Sequence, residues 1–225
     1  MRTLPMRTSK PRIDLSVYLV TDPTLCGKRG VVETALAAVQ GGVRIVQLRD
    51  KVASDEALIC QGRLLKKALA GTGALLIVND RIEVAAAIGA DGVHLGQSDT
   101  AAALARQVLG ADAIIGLSIQ SVEHARALDP KVVDYVGIGP VFATTTKSDH
   151  AAPLGFDGLA RVCAASALPA VAIGGLTVAN VEAVFAAGAC GLAVVSAICA
   201  APDPESAARA IAEAAEVSRR RHSCD

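Results

Sequence analysis

The sequence predicts an α/β fold, a single (β/α)8 TIM barrel, on three observations. Short apolar runs recur through the 225 residues and end in charged, small or hydroxyl residues, as in VRIVQLRDK, ALLIVNDR and GLAVVS. A parallel strand buried on both faces reads as such a run. Alanine-rich stretches with helical spacing of apolar positions separate the runs. Eight runs can be counted, and a final helix after the eighth favours closure over an open doubly wound sheet, the runner-up.

In chain order, residues 1–13 read as a flexible extension: MRTLPMRTSKPR is basic but lacks the apolar stretch of a secretory signal. The barrel domain is expected over 14–225, since no Gly/Ser/Pro-rich linker or charge block divides it. Strand one is Ser16 to Val20, and helix Val31 to Gln40 closes at Gly41-Gly42. Strand two is Arg44 to Leu48, followed by Ser54 as N-cap of helix Asp55 to Ala70. Strand three is Leu75 to Val78, with helix Ile82 to Ile88 closed by Gly89. Strand four is Gly92 to Leu95, with Asp99 as a candidate N-cap and helix Ala101 to Leu109 ending at Gly110. Strand five is Ala113 to Leu117, with Ser121 a cap after it, and strand six is Tyr135 to Ile138. Strand seven is Ala170 to Ile173, Thr177 caps helix Val178 to Ala187 before Gly188, and strand eight is Leu192 to Val195. GADGVHLG and GACGLAVVS echo one helix–turn–strand solution that needs only geometry.

The 22 lysines and arginines balance 22 aspartates and glutamates, so the overall field favours neither nucleic acid nor membrane as a partner. Two tyrosines, three phenylalanines and no tryptophan argue against base-stacking platforms and leave Val, Ile, Leu and Ala to fill the core. Six cysteines show no C-x-x-C pair or Cys/His ligand spacing and are expected to be reduced and mostly structural. No apolar run approaches the roughly 20 residues of a membrane span. A cytoplasmic protein acting on small molecules is expected, with homo-oligomer formation left open.

Chemistry in α/β proteins collects beyond the carboxyl ends of the strands. Gln47, Arg49 and Lys51 alternate as strand two leaves the core, so they can point one way. Two cations beside an amide suit an oxyanion-rich ligand, although a solvated strand end would also read so. Asn79-Asp80 ends strand three, and Asp99 lies nineteen residues after Asp80. Two carboxylates at neighbouring strand ends fit Mg²⁺ shared with phosphates; alone, Asp99 would be an ordinary cap. His94, inside strand four, reads as a packed or hydrogen-bonded histidine rather than a catalyst. The connection from Gly139 to Gly155 is long, and Thr144, Thr145, Thr146 and Lys147 offer an anion cradle. Gly174-Gly175 and Val195-Ser196 follow strands seven and eight, where barrels frequently place a phosphate.

With these residues in place, the chain resembles the thiamine-phosphate synthase (thiamine-phosphate pyrophosphorylase) family. The resemblance runs from YLVTDP at Tyr18 to VSAI at Val195 to Ile198, with VQLRDK, NDR, ADGVHLGQ, GLS, GPVF, the TTTK loop and IGG in order between them. It implies a transferase of thiamine biosynthesis that joins hydroxymethylpyrimidine diphosphate to a thiazole phosphate or its carboxylate and releases diphosphate. It also implies that Gln47, Arg49, Lys51 and Asn79 bind the diphosphate substrate, with Asp80 and Asp99 holding Mg²⁺. Ser118 would contact the pyrimidine and Lys147 its diphosphate, while Thr144, Thr146, Gly175, Val195 and Ser196 would hold the thiazole phosphate. Arg49, Lys51, Ser118 and Lys147 are thus the expected catalytic groups. Family chemistry through a dissociated pyrimidine cation asks for leaving-group stabilisation, in keeping with a sequence that shows no His/Asp or Cys/His relay.

Two rivals stay open at this point. A related thiazole tautomerase would not need Arg49, Lys51, Asp80 and Asp99 together, and a silent phosphate-binding scaffold would need only the last two strand ends. Thr21-Asp22-Pro23, at the end of strand one, has no assigned role.

Overall fold

A computed structural model describes residues 13–97, 99–144 and 152–222, with residues 99 and 100 described by their backbone alone. Eight parallel strands close a barrel in sequence order: β1 (Val17–Val20), β2 (Ile45–Leu48), β3 (Leu75–Asn79), β4 (Gly92–Leu95), β5 (Ile114–Ile119), β6 (Tyr135–Ile138), β7 (Ala170–Ile173) and β8 (Gly191–Val194). Closure is direct, with Val17 opposite Leu192 and Leu19 opposite Val194.

Around the barrel run α1 (Pro23–Cys26), α2 (Gly30–Gln40), α3 (Asp55–Leu69), α4 (Ile82–Ile88), α5 (Asp99–Leu109), α6 (Val122–Arg126), α7 (Gly155–Ala165), α8 (Val181–Ala186), α9 (Ser196–Cys199) and α10 (Pro204–His222). Helix α3 shows why these segments form. Ser54 accepts the Ala57 amide, Asp55 and Glu56 stand in the positive first turn, and Lys66 and Lys67 in the negative last turn. Its buried positions, Leu58, Gly62, Leu65 and Leu69, recur at helical spacing. Full burial of one such leucine is worth about 1.5–3 kcal/mol, an upper bound set by the extended-chain reference.

The expected helix Val178 to Ala187 is divided into a 3-10 turn (Val178–Asn180) and α8, because Thr177 and Asn180 cap the first turn reciprocally. Asp99 is the first residue of α5 rather than the residue before it. Cys26, Cys60, Cys163 and Cys199 are free as expected, but Cys190 is disulfide-bonded. Pairings made by tertiary folding leave no local spacing signature. Among the described residues, no helix is long and apolar enough to cross a membrane.

Apolar packing divides into two regions. One lies between sheet and helices, joining Leu19, Val46, Leu76, Val93 and Val136 to Leu58, Leu65, Val84 and Ile211. The other is the barrel interior, with Tyr18, Val20, Ile45, Ile77, Tyr135, Val171 and Ala193.

Charge at the amino ends of the strands is spent on clasps. Asp91, just before β4, accepts the Leu76 amide at 2.7 Å and Lys66 Nζ at 2.9 Å. Asp134, just before β6, accepts the Ile115 amide at 2.8 Å and Arg106 Nη2 at 2.7 Å. A cleft of about 820 Å³ at this end is lined by Asp14, Cys163, Leu168 and Arg219, away from the polar strand endings.

Candidate active site

The carboxyl ends of β2 and β3 gather the first group of expected residues. Gln47 stands level with Val20 on one side and Ile77 on the other. Its amide is buried and donates to Tyr18 OH at 2.7 Å. Two residues on, Arg49 is only 7% exposed. Its Nη1 lies 4.0 Å from Asp22 Oδ2, and its Nε has no hydrogen-bond partner among the described residues. A guanidinium that is desolvated and incompletely paired is costly unless a ligand completes it. Lys51 extends into solvent with its Nζ 4.0 Å from Asp80 Oδ2.

Asp80 is the one non-glycine residue with a positive φ, 60°, among the described residues. Asp tolerates this left-handed backbone better than most residues, yet single strained positions gather at functional sites. Its Oδ2 accepts Asn79 Nδ2 at 2.7 Å, and its backbone amide bonds to the His94 carbonyl. Among the described residues no group of three or more His, Cys, Asp and Glu side chains forms a metal centre. The half-exposed Asp80 carboxylate is instead an open oxygen donor, the type that Mg²⁺ uses when phosphates and water supply its remaining ligands. The side chain of Asp99, its expected companion, lies outside the described residues.

The unassigned ending of β1 supports this group. Thr21 Oγ1 donates to the Gln47 carbonyl at 3.1 Å and accepts the Arg49 amide at 3.0 Å. Asp22 caps α1 by accepting the Leu25 amide and turns its other oxygen to Arg49. These two positioning residues were missed; their only sequence signal is the polar ending TDP after an apolar run.

A second group lines a cavity of about 100 Å³ beyond β5 to β8, where Ser118, Thr144, Gly175, Val195 and Ser196 meet. Gly175 is required here twice over. Its φ is 63°, and a β-carbon would stand 2.9 Å from both the Ala143 carbonyl oxygen and Phe142 Cβ. The glycine therefore lets the loop after β6 close against the loop after β7. Thr145, Thr146 and Lys147 lie outside the described residues.

Between the two groups stands His94, hydrogen-bonded at both ring nitrogens as expected: Nε2 to Ser118 Oγ and Nδ1 to Tyr135 OH, each at 2.9 Å. Tyr135 in turn meets Tyr18. Burial pushes both phenols well above their ordinary pKa, so both keep their protons.

The chain that builds this mouth matches a family model over most of its length. The model described as thiamine monophosphate synthase covers residues 17–198. The chain belongs to that family. Among curated thiamine-phosphate synthases, the protein of Psychrobacter sp. (strain PRwf-1) is 52% identical over 199 residues, covering 86% of this chain and 92% of the relative. That of Azorhizobium caulinodans is 53% identical over 207 residues, covering 92% and 98%. Among solved structures, the thiamine phosphate pyrophosphorylase of Pyrococcus furiosus superposes with a TM-score of 0.81 at 33% identity, covering 92% of this chain and 98% of that one. Every described candidate residue, from Gln47 to Ser196, falls within the span matched by the family model.

Proposed function

We propose that this chain is a thiamine-phosphate synthase. It joins 4-amino-2-methyl-5-hydroxymethylpyrimidine diphosphate to a thiazole phosphate or its carboxylate, giving thiamine phosphate and diphosphate. The observation that carries the reading is Arg49, a nearly buried guanidinium with an unpartnered Nε, within one mouth with Lys51, Asn79 and Asp80. A polyanionic leaving group offsets that cation's poorly solvated charge.

Gln47, Arg49, Lys51 and Asn79 bind the diphosphate, assisted by Lys147, and Ser118 orients the pyrimidine. Thr144, Thr146, Gly175, Val195 and Ser196 hold the thiazole phosphate. The bond between the pyrimidine methylene carbon and the diphosphate oxygen breaks with its electron pair leaving on diphosphate. The thiazole nitrogen then donates its lone pair to that carbon. Arg49, Lys51 and Lys147 favour the step because the charge on the leaving oxygen grows as the bond breaks. Asp80 and Asp99 would hold Mg²⁺, which when bound would offset part of the diphosphate charge.

The tautomerase reading has no use for a buried, incompletely paired Arg49 together with Lys51 beside Asp80, and neither does a silent scaffold. The test is to incubate the pure protein with both phosphorylated precursors and follow diphosphate and thiamine phosphate, with and without Mg²⁺. Equimolar formation of both products is expected. No product under any metal condition would overturn the reading.

A further inference from the structure

A continuous file of five polar side chains crosses the barrel interior and joins the two halves of the mouth. Gln47 Nε2 donates to Tyr18 OH at 2.7 Å, and the two tyrosine hydroxyls lie 2.8 Å apart. Tyr135 OH meets His94 Nδ1, and His94 Nε2 meets Ser118 Oγ. The members come from β2, β1, β6, β4 and β5 in turn.

The barrel is built to admit this file. Gly116 stands opposite His94 on one side and Tyr135 on the other, and Ser118 stands opposite Gly137. A β-carbon at Gly116 would overlap the Tyr135 ring and come within 2.5 Å of His94 Nδ1. One at Gly137 would press on His94 Cε1 at 3.0 Å. Two interior positions therefore give up side chains to an imidazole and a phenol.

The proton count sets the direction of the file. Tyr18 and Tyr135 are essentially buried, and neither hydroxyl has a hydrogen-bond partner outside the file among the described residues. Each carries one proton and must place it on an acceptor. Gln47 donates to the Tyr18 oxygen, so the Tyr18 proton goes to Tyr135 and the Tyr135 proton to His94 Nδ1. The ring proton of His94 then sits on Nε2 and is donated to Ser118 Oγ. The hydroxyl proton of Ser118 is left to point into the cavity.

We propose that Tyr18, Tyr135 and His94 are positioning residues that make Ser118 a hydrogen-bond donor to the substrate, so that its hydroxyl proton meets a bare acceptor such as a pyrimidine ring nitrogen. This rests on the assignment of Ser118 to the pyrimidine under the proposed function.

Two-bond ¹H–¹⁵N correlation spectra of the ligand-free protein, with His94 assigned by its loss in His94→Gln, test the direction without any substrate. A protonated Nε2 and bare Nδ1 are expected, and a protonated Nδ1 overturns the proposal. Kinetically, Tyr135→Phe removes the donor to Nδ1 and should raise KM for the pyrimidine diphosphate about tenfold, the worth of one oriented hydrogen bond, while KM for the thiazole phosphate stays within about twofold. Equal losses for both substrates, or none, overturn it, and the spectrum of the unaltered protein decides the matter should that variant fail to fold. Ser118→Ala separates the two claims. A raised pyrimidine KM supports the site assignment, and an unchanged one overturns that assignment whatever form His94 takes.

Discussion

Replacing Arg49 with methionine should divide function from stability. Methionine keeps much of the stem's apolar volume and removes the cation, so what changes is charge and hydrogen bonding. The Arg49 side chain is 8% exposed, which limits solvent screening of any charge placed against it. A unit charge pair about 4 Å apart at an effective dielectric of about 20 is worth roughly 4 kcal/mol. At about 1.4 kcal/mol per tenfold, kcat/KM should fall about 10³-fold. Stability should move the other way, because the variant no longer buries an unpartnered Nε. Relief of that desolvation is worth about 1 kcal/mol. Asp22 loses its cation but keeps the Leu25 amide. Initial rates of diphosphate release and the urea midpoint are the two measurements. A variant within tenfold of the parent kcat/KM would refute the argument. So would one that loses activity only together with more than about 2 kcal/mol of stability, since Arg49 would then be a structural residue.

Asp80→Asn keeps a residue that tolerates the left-handed backbone at φ 60° while removing the charge. The expected result is a loss of about 10²-fold or more in activity and a raised Mg²⁺ requirement, read by titrating the rate with metal, with a thermal midpoint near that of the parent. Gly116→Ala forces a methyl group into Tyr135 and His94 and should cost about 1–3 kcal/mol in urea denaturation. Ser54→Ala removes the cap of α3 and should cost about 1 kcal/mol in the same assay while both KM values hold.

Strand order and number were legible because a doubly buried strand leaves an unbroken apolar run, and the eight runs became eight barrel strands. Boundaries moved by one or two residues, as at Ser16, where the strand begins instead at Val17. Helices α1 and α9, of four residues each, were not foreseen, being too short to establish a period. In the candidate site, the placing of Gln47, Arg49 and Lys51 at one strand end was legible from strand alternation, and that of Asn79-Asp80 from the polar ending of a run. Tyr18 and Tyr135 were not. Each sits in an apolar strand and reads as core, and their contact spans 117 residues. Only the closed barrel turns them toward one another. The service of Asp22 to Arg49 is hidden in the same way, because it depends on the pairing of β1 with β2.

The aspartate clasps beneath β4 and β6 divide the consequences of mutation by height along the barrel axis. Asp91 and Asp134 each tie a neighbouring strand's amide to a helix cation, and neither lies among the proposed catalytic groups. Random changes near that floor should therefore alter how much protein accumulates in a cell while sparing the kinetics of what remains folded. Changes at the rim should alter kinetics at nearly constant abundance. Such separability lets the rim loops be exchanged for new specificity on an unchanged base, and it identifies the two floor carboxylates as positions to hold constant when that is done.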